Sequence, residues 1–312
     1  MKKKIISSLL LSALLFLGLY GCDSNTERGV GDYQTKEIST EGISSIEIFD
    51  ILTEKSETGT GVTVMLHAAE EEKIVLEAQE SILSQITVTQ NASLLSVSAV
   101  GGKSYQTGYI KIDIYGSVFS EITLSDAIAL TAEAGCFSGG TVTLRAKDAS
   151  AMTLEEVNAN TLIVQAESAS DITLTAVSAV TTIVQLTKAS RLTATALNTA
   201  ALEIDAAAGS MATVTSSTEA VLVRLHNASR AVLVGNTGYL SLDATDASFL
   251  QASKLDSINA SINMSTACQA FISFTGMVEG SLSDTSTLTY SGVTENVLVS
   301  TDNTSSAKIA KK

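Results

Sequence analysis

Proline and tryptophan are absent from the 312 residues, and the chain holds only two histidines, three cysteines and 4% aromatics. Each shortage removes a class of reading. His67, His226 and two distant cysteines cannot supply a zinc site of known spacing, and no Gly-x-Ser-x-Gly motif accompanies the histidines. They read as surface or turn residues, and no cofactor is implied. Sugar recognition usually leans on exposed aromatic platforms. Here Tyr239, Phe249, Phe271, Phe274 and Tyr290 read instead as stacked core or a partial cap. Charged residues are 17% of the chain, below the roughly 25% of an average domain. The net charge is −14, which repels nucleic acid and anionic lipid. Ser, Thr and Ala fill the gap. Few charges, no proline and many small residues point to stacked strands rather than helices.

The N-terminus reads as an export signal. Lys2, Lys3 and Lys4 precede an apolar run from Ile5 to Leu17, too short for a spanning helix, which needs about 20 residues. The run ends in Leu19-Tyr20-Gly21-Cys22, which resembles the lipobox of bacterial lipoproteins. Residues 1–21 are then a signal peptide and Cys22 is the lipid-attachment residue. Several acyl chains on one residue exceed the two-signal threshold for stable anchoring. Residues 22–35 are polar and glycine-containing and read as a flexible tether, and 301–312 as a polar tail.

From 36 to 116 short strands follow one another, as a cap or as first coils. From 117 to 300 the pattern becomes a repeat. An Ala-Ser pair or a close substitute recurs at Ala149-Ser150, Ala169-Ser170, Ala189-Ser190, Gly209-Ser210, Ala228-Ser229, Ala247-Ser248 and Ala267-Cys268, 19 or 20 residues apart. Five residues before each pair stands an aliphatic residue: Leu144, Val164, Val184, Ile204, Val223, Leu242, Ile262. Matching apolar positions follow three and five residues after the Ala, with polar residues between. Steps of two mark strands with one face inward. One rung cannot bury that face alone, but stacked rungs can. The expected fold is all-β: a parallel, right-handed β-helix (solenoid) with rungs of about 20 residues. In this register Cys136 and Cys268 lie roughly 30 Å apart at about 4.8 Å per rung, beyond disulfide reach.

The arrangement resembles the bacterial head GIN domain family. Ile43-Ser44-Ser45-Ile46-Glu47-Ile48 opens it, followed by Gly61-Val62-Thr63-Val64, Leu95-Ser96-Val97 and Ile110-Lys111-Ile112. Corners such as Lys147-Asp148-Ala149-Ser150 then recur, with Asp or Ser where the family carries glycine. The resemblance spans about residues 38 to 300. It implies an exported or envelope β-helical protein.

Carboxylates are the remaining candidates for chemistry, because some β-helices cleave polysaccharides. Asp205, Arg224 and Asp243 fall in one outward column on consecutive rungs. They read as a charge ladder that sets register, as do Lys147 beside Glu167 and Asp171 beside Arg191. The leading expectation is a non-enzymatic, membrane-anchored envelope lipoprotein presenting a rod for adhesion, its partners the membrane and an envelope protein or glycan. The competing expectation is a protein that binds or cleaves extracellular polysaccharide. The lipid places it in the cell envelope, at the outer membrane surface or a periplasmic face.

Overall fold

The computed structural model describes residues 26–53, 61–101, 103–106, 108–302 and 308–312. Cys22 and the signal segment lie outside them. Strands dominate, and the rungs stack in parallel into a β-solenoid of about nine turns. Six long rungs form the middle: Ala151–Ala166, Asp171–Leu186, Arg191–Ala206, Met211–Leu225, Arg230–Ala244 and Phe249–Met264. They are called rungs 1 to 6 below. Pairing between rungs 1 and 2 skips Glu155 and Asn160. Rungs 1 to 3 therefore have three straight sides, bent at those positions and closed by the Ala-Ser corner.

The aliphatic columns stack as the spacing requires. Leu144, Val164, Val184, Ile204, Val223, Leu242 and Ile262 pair in consecutive register, and none is exposed. A single core runs the length of the rod.

The corner explains why small residues recur. At nine corners among the described residues, two successive residues take positive φ, and only Gly209 among these eighteen is glycine. At Asp148 and Ala149 the angles are 52° and 62°. A left-handed residue with a side chain costs roughly 1–2 kcal/mol. The corner offsets that cost with hydrogen bonds along the rod. The N–H of Ala127, Ala149, Ala169, Ala189, Gly209, Ala228, Ala247 and Ala267 each donates to the carbonyl of the first left-handed residue one rung on, at 2.8–3.0 Å. The following serine turns inside. Ser170, Ser210, Ser229 and Ser248 donate to the carbonyl three residues back, at 2.7–2.8 Å.

The ends differ from the middle. Val62–Ala68 pairs in parallel with Ile110–Gly116 and with Ala129–Ala132, while Lys73–Gln79 runs antiparallel to Ile110–Gly116 and to Tyr33–Ser39. On another side Ser45–Phe49 lies between Leu94–Ala99 and Glu121–Leu124, and Ile86–Asn91 closes it antiparallel. A single helical turn, Glu80–Leu83, buries Ile82 and Leu83 against the core. The 36–116 region is thus first coils and cap together. Tether and tail are shorter than expected: Thr26–Arg28 and the start of Tyr33–Ser39 are strand, and Lys308–Lys311 pairs with Thr287–Ser291. Their polar sequences fit edge positions, where one strand face stays in water.

Candidate functional site

Among the described residues, no group of three or more His, Cys, Asp or Glu is placed to hold a metal. Cys136 and Cys268 are free and buried. Burial pushes the Cys136 thiol up to about 11 and raises that of Cys268.

The carboxylate column forms in register, Asp205 beside Arg224 beside Asp243. The ladder is nonetheless not the one expected. Arg224 turns aside to pair with Glu203, a neighbour on the same face. Lys188, not Lys147, takes Glu167, and the hydrogen bond from its ammonium holds that carboxyl below its usual range. Asp171 and Arg191 do meet, at 4.0 Å. Side chains of this length reach diagonally as easily as straight, so column alignment alone does not assign partners.

The histidines and aromatics are only partly as expected. His226 bonds Thr245 at 3.1 Å. His67 sits between Asp113 at 3.3 Å and Glu133 at 3.1 Å, stacked on Tyr115. Those carboxylates are 46 and 66 residues away, so no local signal marked the cluster. Phe274 and Tyr290 are core. Phe249 and Phe271 stand half-buried on the outer face, where Arg230 lies 4.6 Å from the Phe249 ring centroid.

A larger space for a ligand lies elsewhere. An open groove of about 530 Å³ crosses rungs 1 to 5 on the middle side, within the size range of ligand sites. One wall is a column in strict register: Asn158, Ser178, Asn198, Ser217, Asn236. The floor carries Ala176 and Ala196 in register, and Thr195 and Thr215 stand on the other side. Glu156 is the one ionisable lining residue, and it accepts a bond from Asn158 Nδ2 at 3.0 Å. Ser217 donates to Asn236 Oδ1 at 3.1 Å.

The backbone shapes this groove. The pairing loses one residue between Ala194 and Leu197, as rung 3 meets rung 4, and regains it as rung 5 meets rung 6. The two short repeats are therefore shortened at the first bend of the rung, beside the groove. Gly235 sits there at φ 118°, where a Cβ would fall 1.9 Å from the Ser216 carbonyl oxygen. Ser216 also lines the groove; it is 5% exposed and its Oγ has no partner. The sequence held a signal for this wall: Asn or Ser nine residues after the corner Ala, eight in the short rungs. It lies outside the five residues on either side of the corner that carry the core columns.

A model described as "Putative auto-transporter adhesin, head GIN domain" matches residues 54–221, more than half of the chain. The chain belongs to the head GIN domain family. The crystal structure of a "putative adhesin" from Parabacteroides merdae is similar in fold, at TM-score 0.52 and 13% identity, covering 92% of this head GIN chain and 99% of its own. Another so described, from Parabacteroides distasonis, gives TM-score 0.47 and 11% identity over 92% and 100%. No curated protein matches the sequence. The family and fold are adhesin-like, of a kind found at the cell envelope, and no helix among the described residues is long and apolar enough to cross a membrane.

Proposed function

We propose that this head GIN protein is a lipid-anchored, non-catalytic envelope protein whose solenoid is held off the membrane as an adhesive rod. The observation that carries the reading is the unbroken stack of rungs: one core with an outer surface of repeated small polar columns, in a family of adhesin heads. Such a surface offers the same contacts many times over, so weak contacts add through multivalency. Cys22 supplies the anchor, a few residues before the first strand, Thr26–Arg28. Asp205 and Asp243 stand two rungs apart, about 9.6 Å, on either side of the rung whose Arg224 pairs with Glu203. That arrangement suits a charge ladder better than a hydrolytic pair.

The test uses intact cells. Protease or antibody added outside should reach the rod, and Cys22→Ala should release the protein from the membrane fraction. Loss of the chain should reduce attachment of cells to a host or matrix surface. A rod that stays membrane-bound without Cys22, or cells that attach equally well without the protein, would refute the reading.

A further inference from the structure

We infer that the groove over rungs 1 to 5 binds a neutral, extended glycan of equatorially linked pyranoses, lying along the rod axis. The inference rests on the adhesive reading only in naming what the rod would hold, and it stands or falls on its own geometry.

Direction comes first. The Asn158–Asn236 wall and the Ala176–Ala196 floor both run from rung to rung, across the strands. A ligand seated between them must lie along the axis. It cannot add to the sheet as a strand, because the rungs above and below already occupy the backbone groups.

Period comes second. The wall alternates amide, hydroxyl, amide, hydroxyl, amide, so its chemical repeat is two rungs, about 9.6 Å. An extended peptide repeats about every 6.6–6.8 Å and drifts out of step within two repeats. In an extended, equatorially linked glycan each ring is turned over relative to the last. Its pattern of hydroxyls repeats every second sugar, and each sugar advances by about one rung. One ring per rung then meets Asn on one face and Ser on the next. Asn both donates and accepts, as vicinal sugar hydroxyls require.

Charge comes third. The chain carries −14 overall, and the lining holds no cation, only Glu156, which is already engaged by Asn158. A uronic-acid polymer would be repelled, so the glycan is uncharged. The methyl groups of Ala176 and Ala196 leave an apolar floor on rungs 2 and 3 for the C–H faces of the rings seated there, in place of an aromatic platform, with Glu156 in the same column on rung 1. At the shortened bend Gly235 carries no side chain over the groove, because a Cβ there would fall 1.9 Å from the Ser216 carbonyl oxygen of the neighbouring rung.

The experiment is titration calorimetry of the full chain in detergent with cellohexaose, mannohexaose and chitohexaose. The corresponding disaccharides, polygalacturonate and an extended Ser/Thr hexapeptide serve as comparisons. At least one neutral hexaose should bind, with its disaccharide about tenfold weaker or more, because five rungs contact about five rings. Asn198→Ala should weaken binding by about tenfold, the loss of one to two hydrogen bonds. Ala196→Trp should abolish it by filling the floor, while Gln185→Trp on another side should leave it unchanged. Thermal melts check that each variant is folded, and Asn198→Ala decides the matter if the tryptophan variant does not fold. The inference is overturned if no neutral hexaose binds, if groove variants bind as wild type does, or if the peptide or polygalacturonate binds instead. Cell attachment is scored separately. Attachment by wild type with no hexaose binding sinks the groove inference alone, whereas groove binding with no loss of attachment on deletion sinks the adhesive reading alone.

Discussion

At the scale of single residues, the corners set conformation against chemistry. Lys188 and Ala189 both hold positive φ, at 54° and 62°. Glycine adopts this region without the Cβ clash. Lys188→Gly should therefore raise unfolding free energy by about 0.5–1 kcal/mol, read as a higher urea midpoint at unchanged slope. A β-branched residue at Ala189 should lower it. Cys268 occupies a serine position in the corner column, buried like Ser248 and Ser286. Cys268→Ser should be neutral to about 1 kcal/mol stabilising, because a hydroxyl is the better donor to the carbonyl three residues back. Ser216→Ala should stabilise by roughly 1 kcal/mol, since it removes a buried oxygen that has no partner.

At the scale of the element, a rung contributes through the columns it continues. Ile204 is wholly buried between Val184 and Val223. Ile204→Ala should cost about 2–5 kcal/mol, measured by denaturant unfolding, and more than any change to the exposed ion pairs. Exposed pairs such as Asp171 with Arg191 contribute about 0–1 kcal/mol. In the early coils, Cys136 gives a pH dependence. Burial holds its folded thiol at about 11, above the ordinary thiol value of 9.0, so between those values the unfolded state sheds a proton that the folded state keeps. Stability from this thiol is complete below pH 9.0 and is lost as pH rises to about 11. A stability-against-pH series should show that fall, and Cys136→Ser should remove it.

At the scale of the whole molecule, each rung touches mainly its neighbours, as in other solenoids. Removing residues 171–190 deletes one complete rung and leaves like above like. That variant should fold cooperatively as a shorter rod with unchanged circular dichroism per residue. Removing ten residues from the same place leaves half a rung that interrupts the columns at that level and should lower stability, as seen by the loss of protease resistance at the junction. The same nearest-neighbour logic makes the caps matter. The antiparallel strands at one end and the lysine-bearing strand Lys308–Lys311 at the other stand where a parallel stack would otherwise present open edges.

The parallel stack, its rung length and its core columns were legible in the chain because they are periodic. The offsets that placed Leu144 over Val164 required only counting. The family was legible for the same reason, through its opening strands and its corners. Partnerships among long side chains were not: Arg224 reaches Glu203, and His67 meets Asp113 and Glu133, through distances that no local pattern encodes. The left-handed corner was hidden because alanine and lysine stand where glycine would have announced it; only the ladder of bonds from rung to rung holds them there. The groove, too, was decided in three dimensions. A single residue dropped from two rungs barely disturbs the linear repeat, yet the pairing takes it up at one bend and keeps Asn158, Ser178, Asn198, Ser217 and Asn236 in one row.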